Sequence, residues 1–194
     1  MKKAAIILTF LVVAPQILAS QVSAGDVTPP EVVATTLAAS VMIRGGTVEQ
    51  HARLQWSLER FEAAGLELPQ LELIIHESSA GCGGYDGLFW PEEPSNRIDI
   101  CTDSTFIVLH ELGHAWEYNF ATDSARQNLM DELELEAWTG DAVKYQKRGT
   151  EVAAKLIAWG LVDSPLTESQ ARILVLSLNR FESFTGVPSP RIGA

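Results

Sequence analysis

Between residues 47 and 65 the apolar positions fall at Leu54, Leu58 and Phe61, the spacing of one face of a helix. Thr47 with Gln50 three residues on makes a capping-box pair that starts this helix, and Gly65 closes it. The period then changes. Leu71 to Glu77 (LELIIHE) is short and rich in β-formers and predicts a strand; Arg97 to Thr102 (RIDICT) predicts a second. The link between them opens with a loop holding four glycines, Ser78 to Gly87, and reads as irregular throughout. From Ser104, a plausible N-cap, to Phe120 the pattern is helical again. Further helices are predicted from Pro30 to about Met42, ended by Gly45-Gly46, and from Ser124 to Lys147, ended by Gly149. Two shorter ones follow, Glu151 to Trp159 and Thr167 to Phe184, before a tail rich in Pro and Gly. The chain thus reads as α+β, helix-dominated, with a small β-sheet preceding the helix that begins at Ser104.

The first 24 residues follow a different logic. Lys2 and Lys3 give a positive start, Ala4 to Val13 an apolar run, Pro15 a break, and Val22-Ser23-Ala24 small residues suited to cleavage. These are the zones of a secretory signal peptide, and the apolar run falls short of the roughly 20 residues that span a bilayer. The expected organisation is a signal at 1–24 and one domain at 25–194, exported and free of the membrane. Without the two signal lysines, 12 basic residues face 25 acidic ones. Phosphate binding needs clustered positive charge, so nucleic acid is not an expected partner.

Cys82 and Cys101 are the only cysteines. In an exported chain an even pair predicts a disulfide, worth roughly 3 kcal/mol for a loop of this size. The alternative is thiolate ligation of a metal, although the short knuckle of structural zinc sites is missing.

Candidate chemistry is concentrated on one helix. His110 and His114 stand four residues apart, so both imidazoles face the same way and can reach one metal ion. Glu111 is turned about 100° from His110, where its carboxylate can take a proton from a water at the metal without ligating it. Ile107, Val108, Leu109, Leu112, Ala115 and Trp116 surround these groups, so the helix is expected to be buried, and burying two imidazoles and a carboxylate without a partner costs several kcal/mol. Zn2+ satisfies all three. No histidine follows His114, which leaves a downstream third ligand to a carboxylate. The metzincin continuation needs glycine at position 117 and histidine at 120, where this chain has Glu117 and Phe120. Candidates then lie in the acidic stretch Asp131 to Trp138.

His110 to His114 followed by a Glu on the next helix resembles the gluzincin metallopeptidases, and the compact layout is similar to their minimal members. The resemblance extends over about residues 50 to 145, through Gly81-Cys82-Gly83-Gly84, Ile98 to Cys101 and Leu109 to Trp116, which look like exported bacterial proteins of this type. It implies a zincin-like fold, zinc as cofactor and a peptide or protein substrate. In those families the ligand Glu often sits three residues before an Ala, and that pattern maps onto Glu134-Leu135-Glu136-Ala137. The resemblance therefore implies Glu134 as third ligand beside His110 and His114, with Glu136 as its rival, since relatives often carry Asp or Asn where this chain has Trp138. It implies Glu111 as general base, and an oxyanion-supporting residue for which Tyr145, Tyr118 and His76 are open candidates.

Two other readings fit part of the pattern. A di-iron bundle also uses Glu-x-x-His, but needs it twice, and neither His51 nor His76 has a Glu three residues before it. An exported, non-catalytic metal-binding or interaction module needs only the metal, and has no use for Glu111.

Overall fold

The computed structural model describes residues 41–91, 95–163 and 178–191. The expected signal, most of the helix expected before residue 42 and the first part of the helix expected from Thr167 lie outside the described residues. The Thr47 hydroxyl accepts from Gln50 N at 3.3 Å and the Gln50 side chain accepts from Thr47 N at 2.9 Å, so the predicted capping box starts α1 (Val48–Ala63). Leu54, Leu58 and Phe61 are its buried face.

The fold is α+β, with a four-stranded sheet of β1 (Val41–Gly45), β2 (Leu71–Ile75), β3 (Gly87–Trp90) and β4 (Asn96–Ile100) in the order β1-β2-β4-β3. The two predicted strands are its centre and run parallel, with Leu73 opposite Ile98. Two strands depart from expectation. Residues 41–45 are not the end of a helix: Val41 and Ile43 turn inward with the period of a strand and pair in parallel with Leu71 and Leu73. Gly45 then turns at φ 71°, where a Cβ would strike the carbonyl of Ile75. The stretch Gly87–Trp90, expected to be irregular, is an edge strand antiparallel to β4, Gly87 opposite Ile100 and Trp90 opposite Arg97. At four residues it is too short to show a period.

Helix α2 (Thr105–Phe120) crosses the centre of the molecule. Ten consecutive residues, Val108 to Glu117, are buried, so α2 is enclosed on every side: by α1, by β3 and β4, and above all by α4 (Gly149–Leu161). Phe184 of a helical segment over 178–185 covers its far end, 5.9 Å from the Trp116 ring, while Phe181 packs against Gly160 of α4. No helix among the described residues is long and apolar enough to cross a membrane.

Helix α3 (Asp123–Leu133), capped where Ala125 N donates to the Thr122 hydroxyl at 3.1 Å, stops 14 residues before the predicted end at Lys147. Glu134 adopts φ 50° and ψ 45°, and Leu135 N donates back to Met130 O, which closes the helix. The last turn holds no basic residue, while Asp131, Glu132, Glu134 and Glu136 crowd the carbonyl end, where the helix dipole disfavours negative charge. The chain then folds back on itself: Gly149 N donates to Ala137 O at 3.0 Å and Thr150 N to Trp138 O at 3.0 Å, which launches α4 beside the loop it came from.

The predicted disulfide forms. Cys82 in a short 3-10 turn (Ser79–Cys82) is bonded to Cys101 just after β4, with Cα atoms 6.1 Å apart. Replacing both cysteines by Ser should lower the unfolding free energy by about 3 kcal/mol in denaturant titrations, with an unchanged native far-UV spectrum. An unfolded double variant or one of undiminished stability would contradict that value.

Candidate metal centre

His110 and His114 project from the same face of α2, ring centroids 4.7 Å apart. The carboxylate that meets them belongs to Glu151, in the first turn of α4. Its Oε2 is 3.3 Å from His110 Nε2 and its Oε1 is 3.5 Å from His114 Nε2. Three ligands at about 2.0–2.2 Å around a tetrahedral ion stand about 3.4 Å from one another, so this separation suits one metal ion. All three residues are buried, and His110 Nδ1 and Glu151 Oε2 are left without a hydrogen-bond partner among the described residues. Buried polar atoms are rarely left so. Two imidazoles and a carboxylate whose orphaned oxygen faces them are a donor set that can hold a metal ion.

The carboxylate that the fold brings to the two histidines is therefore not the expected Glu134. Glu134 is exposed at the left-handed end of α3, and Glu136, equally exposed, pairs with Lys147 at 3.5 Å; neither belongs to the group. The expectation for both requires α3 to continue through them, and it ends at Leu133. The signal that leads to Glu151 is also in the sequence. Glu151-Val152-Ala153-Ala154 repeats the Glu-x-x-Ala pattern, and does so at the head of a strongly apolar helix, where a lone carboxylate needs a partner.

The small residues around Glu151 explain how it gets there. A Cβ on Gly113 would lie 3.0 Å from Ala154 O and 3.1 Å from its Cα, so α2 and α4 touch backbone to backbone at this point. Trp138 lies flat over Gly149, where any side chain would collide with its ring. Glu151 at the helix N-terminus is also favourably placed against the dipole.

Glu111 is rotated away from the ligand pair and its side chain rests on the edge strand: a Cβ on Gly87 would stand 2.6 Å from Glu111 Cγ and 2.7 Å from Oε1. Glu111, His114 and Glu151 line a cleft of about 880 Å³ whose walls include β3 and Tyr145. Behind His114, Glu117 is buried with Oε1 4.0 Å from Nδ1, and Phe89 stacks on the ring at 6.2 Å. Of the three oxyanion candidates, Tyr145 is brought to the site, where its hydroxyl interacts with the Glu151 carboxylate. Tyr118 lines the cleft wall, half exposed, and His76 is bound to Asp99 beside the disulfide.

Electrostatics follow from burial and close approach. Burial pushes the Glu111 carboxyl up to about 7, against the opposing pull of His114. Burial also lowers His110, more than its contact with Glu151 raises it. For His114 burial acts in the same downward sense, but Glu117 and Glu151 outweigh it and raise the imidazole to about 9. Glu151 is pulled well below the usual carboxylate range by the two histidines despite its burial. Burial and Glu151 together raise the Tyr145 phenol. The carboxylates of Glu117 and Glu151 thus favour positive charge at His114.

No protein-family model, curated protein or solved structure matches this chain.

The placement of Glu151 makes a sharp comparison. Glu151→Ala should abolish stoichiometric metal binding, measured by elemental analysis after desalting, whereas Glu134→Ala and Glu136→Ala should retain about one equivalent. Loss of metal in Glu134→Ala alone would restore the original assignment.

Proposed function

We propose that the protein is an exported zinc-dependent hydrolase, a metallopeptidase of gluzincin type, with His110, His114 and Glu151 as metal ligands and Glu111 as general base. The observation that carries the reading is the position of Glu111. A structural metal site has no need of a buried carboxylate beside its ligands, turned from the ion and opening onto a cleft. Export is supported by the signal-like first 24 residues and by the disulfide.

Zinc bound by the three ligands would supply Lewis-acid chemistry, lowering the pKa of water and polarising a carbonyl. The chain's own groups do the rest. Glu111 accepts the proton of the attacking water and carries it to the leaving amine, a short path because its carboxylate borders the cleft on the side of Gly87. The outer edge of β3 has no partner strand among the described residues, and an extended peptide laid along it would pair its backbone with β3 and pass its scissile bond in front of Glu111. Glycine at position 87 keeps that approach free of a side chain. Tyr145, already beside Glu151, would donate its phenolic proton in a hydrogen bond to the developing oxyanion, and Glu117 would hold His114 from behind.

The test is digestion of a peptide library by the zinc-loaded chain lacking residues 1–24, read by mass spectrometry. Cleavage is expected, and Glu111→Gln should keep its zinc while losing turnover by roughly 10²–10⁴-fold. Undiminished turnover in Glu111→Gln would remove it as the base. Stoichiometric zinc with no cleavage of any peptide would favour the non-catalytic module.

A further inference from the structure

A second group of metal-ligating atoms lies just beyond the ends of β2 and β4, made of residues outside the site just described. His76, Cys82 and Cys101 bring their ligand atoms within 4.8 Å of one another. The disulfide accounts for the two sulfurs but not for the histidine, which is held in place with unusual care. His76 N donates to Ile100 O at 2.8 Å, which ties the end of β2 to the end of β4. His76 Nε2 meets Asp99 Oδ1 at 2.7 Å, and Asp99 Oδ2 accepts from Trp90 Nε1 at 2.8 Å and lies 3.3 Å from Arg97 Nε. Asp99 is itself buried. With Nε2 engaged, Nδ1 is the nitrogen left for a ligand, and it faces the turn at Gly81, where any side chain would collide with the ring. Cys82 is the next residue. An imidazole held by a buried carboxylate, with two sulfurs within 4.8 Å of a ring nitrogen, is the arrangement that metal sites use to fix a histidine ligand.

We propose that the reduced thiols of Cys82 and Cys101 form, with His76 Nδ1, a second metal site for a thiophilic divalent ion of the zinc class, and that the disulfide is the closed form of this site. Opening it takes two electrons and two protons, supplied by an external dithiol that becomes a disulfide as the Cys82–Cys101 bond breaks. The ion then displaces one proton from each thiol and binds two thiolates and a neutral imidazole. Two thiolates on one zinc ion stand about 3.8 Å apart, from Zn–S distances near 2.3 Å, and rotation of the two side chains provides that separation with the Cα atoms left 6.1 Å apart. An external disulfide takes the two electrons back and becomes a dithiol with two protons from solvent, while the Cys82–Cys101 bond re-forms and the ion is released. Three protein ligands leave a tetrahedral ion a fourth position for water, and His76 is partly exposed.

Sulfur distinguishes this site from the one on α2, which has none. The protein lacking residues 1–24, reduced anaerobically with a phosphine (which becomes its oxide with oxygen from water) and then freed of it, is titrated with Co2+. The reduced protein should take one more equivalent than the oxidised protein, and that equivalent alone should show sulfur-to-cobalt charge-transfer absorption. His76→Ala should weaken it by at least roughly tenfold, and Asp99→Asn by a similar factor, while the sulfur-free equivalent is untouched. Absence of the sulfur band in the reduced protein overturns the site. So does a band unchanged by His76→Ala, which would report two thiols acting without the fold.

Discussion

Five titratable side chains, His110, Glu111, His114, Glu117 and Glu151, are buried where α2 meets α4, and the rest of the molecule is arranged around the cost of keeping them there. Each charge removed from water carries a penalty of several kcal/mol unless it is matched at close range. Three carboxylates surround two imidazoles, and the pull between them is visible in His114, raised to about 9, and in Glu151, drawn down below the ordinary carboxylate range. A divalent ion between His110, His114 and Glu151 would answer the excess negative charge directly, and would engage the orphaned Glu151 oxygen.

Three small residues make the matching possible. Gly113 lets the backbone of α4 come up to α2 at Ala154, Gly149 makes room for Trp138 as α4 begins, and Gly87 lets Glu111 lie against the edge strand. Each removes a Cβ at a contact where one would force two elements apart. The helix that carries Glu151 and the strand that walls the cleft are therefore positioned by the absence of side chains as much as by apolar burial around Leu109, Leu112, Ala115 and Ile157. Close packing of this kind transmits small displacements, so a change at Gly113 should be felt at Glu151.

Much of this was legible along the chain. The spacing of His110 and His114 within an apolar stretch marks both the helix and its burial, Thr47 and Gln50 mark the start of α1, and two cysteines mark one bond. What was not legible depends on contacts distant in sequence. A four-residue strand such as β3 has no period of its own and exists because β4 lies beside it. The end of α3 lacks Gly or Pro, so its stop at Glu134 shows only in the crowding of acidic residues at the carbonyl end. Once α3 is read as continuing, Glu134 falls on a helix and takes the ligand's place by its Glu-x-x-Ala pattern. The same pattern at Glu151 is distinguished by what faces it, the glycine at 113, and that pairing of α2 with α4 belongs to the fold.

The most direct measurement is anomalous diffraction at the zinc absorption edge from crystals of the zinc-loaded protein. The account predicts a peak at about 2.0–2.2 Å from His110 Nε2, His114 Nε2 and a Glu151 oxygen, with Glu111 outside bonding distance. A peak ligated by Glu134 or Glu136, or no peak between the two histidines of α2, would contradict it.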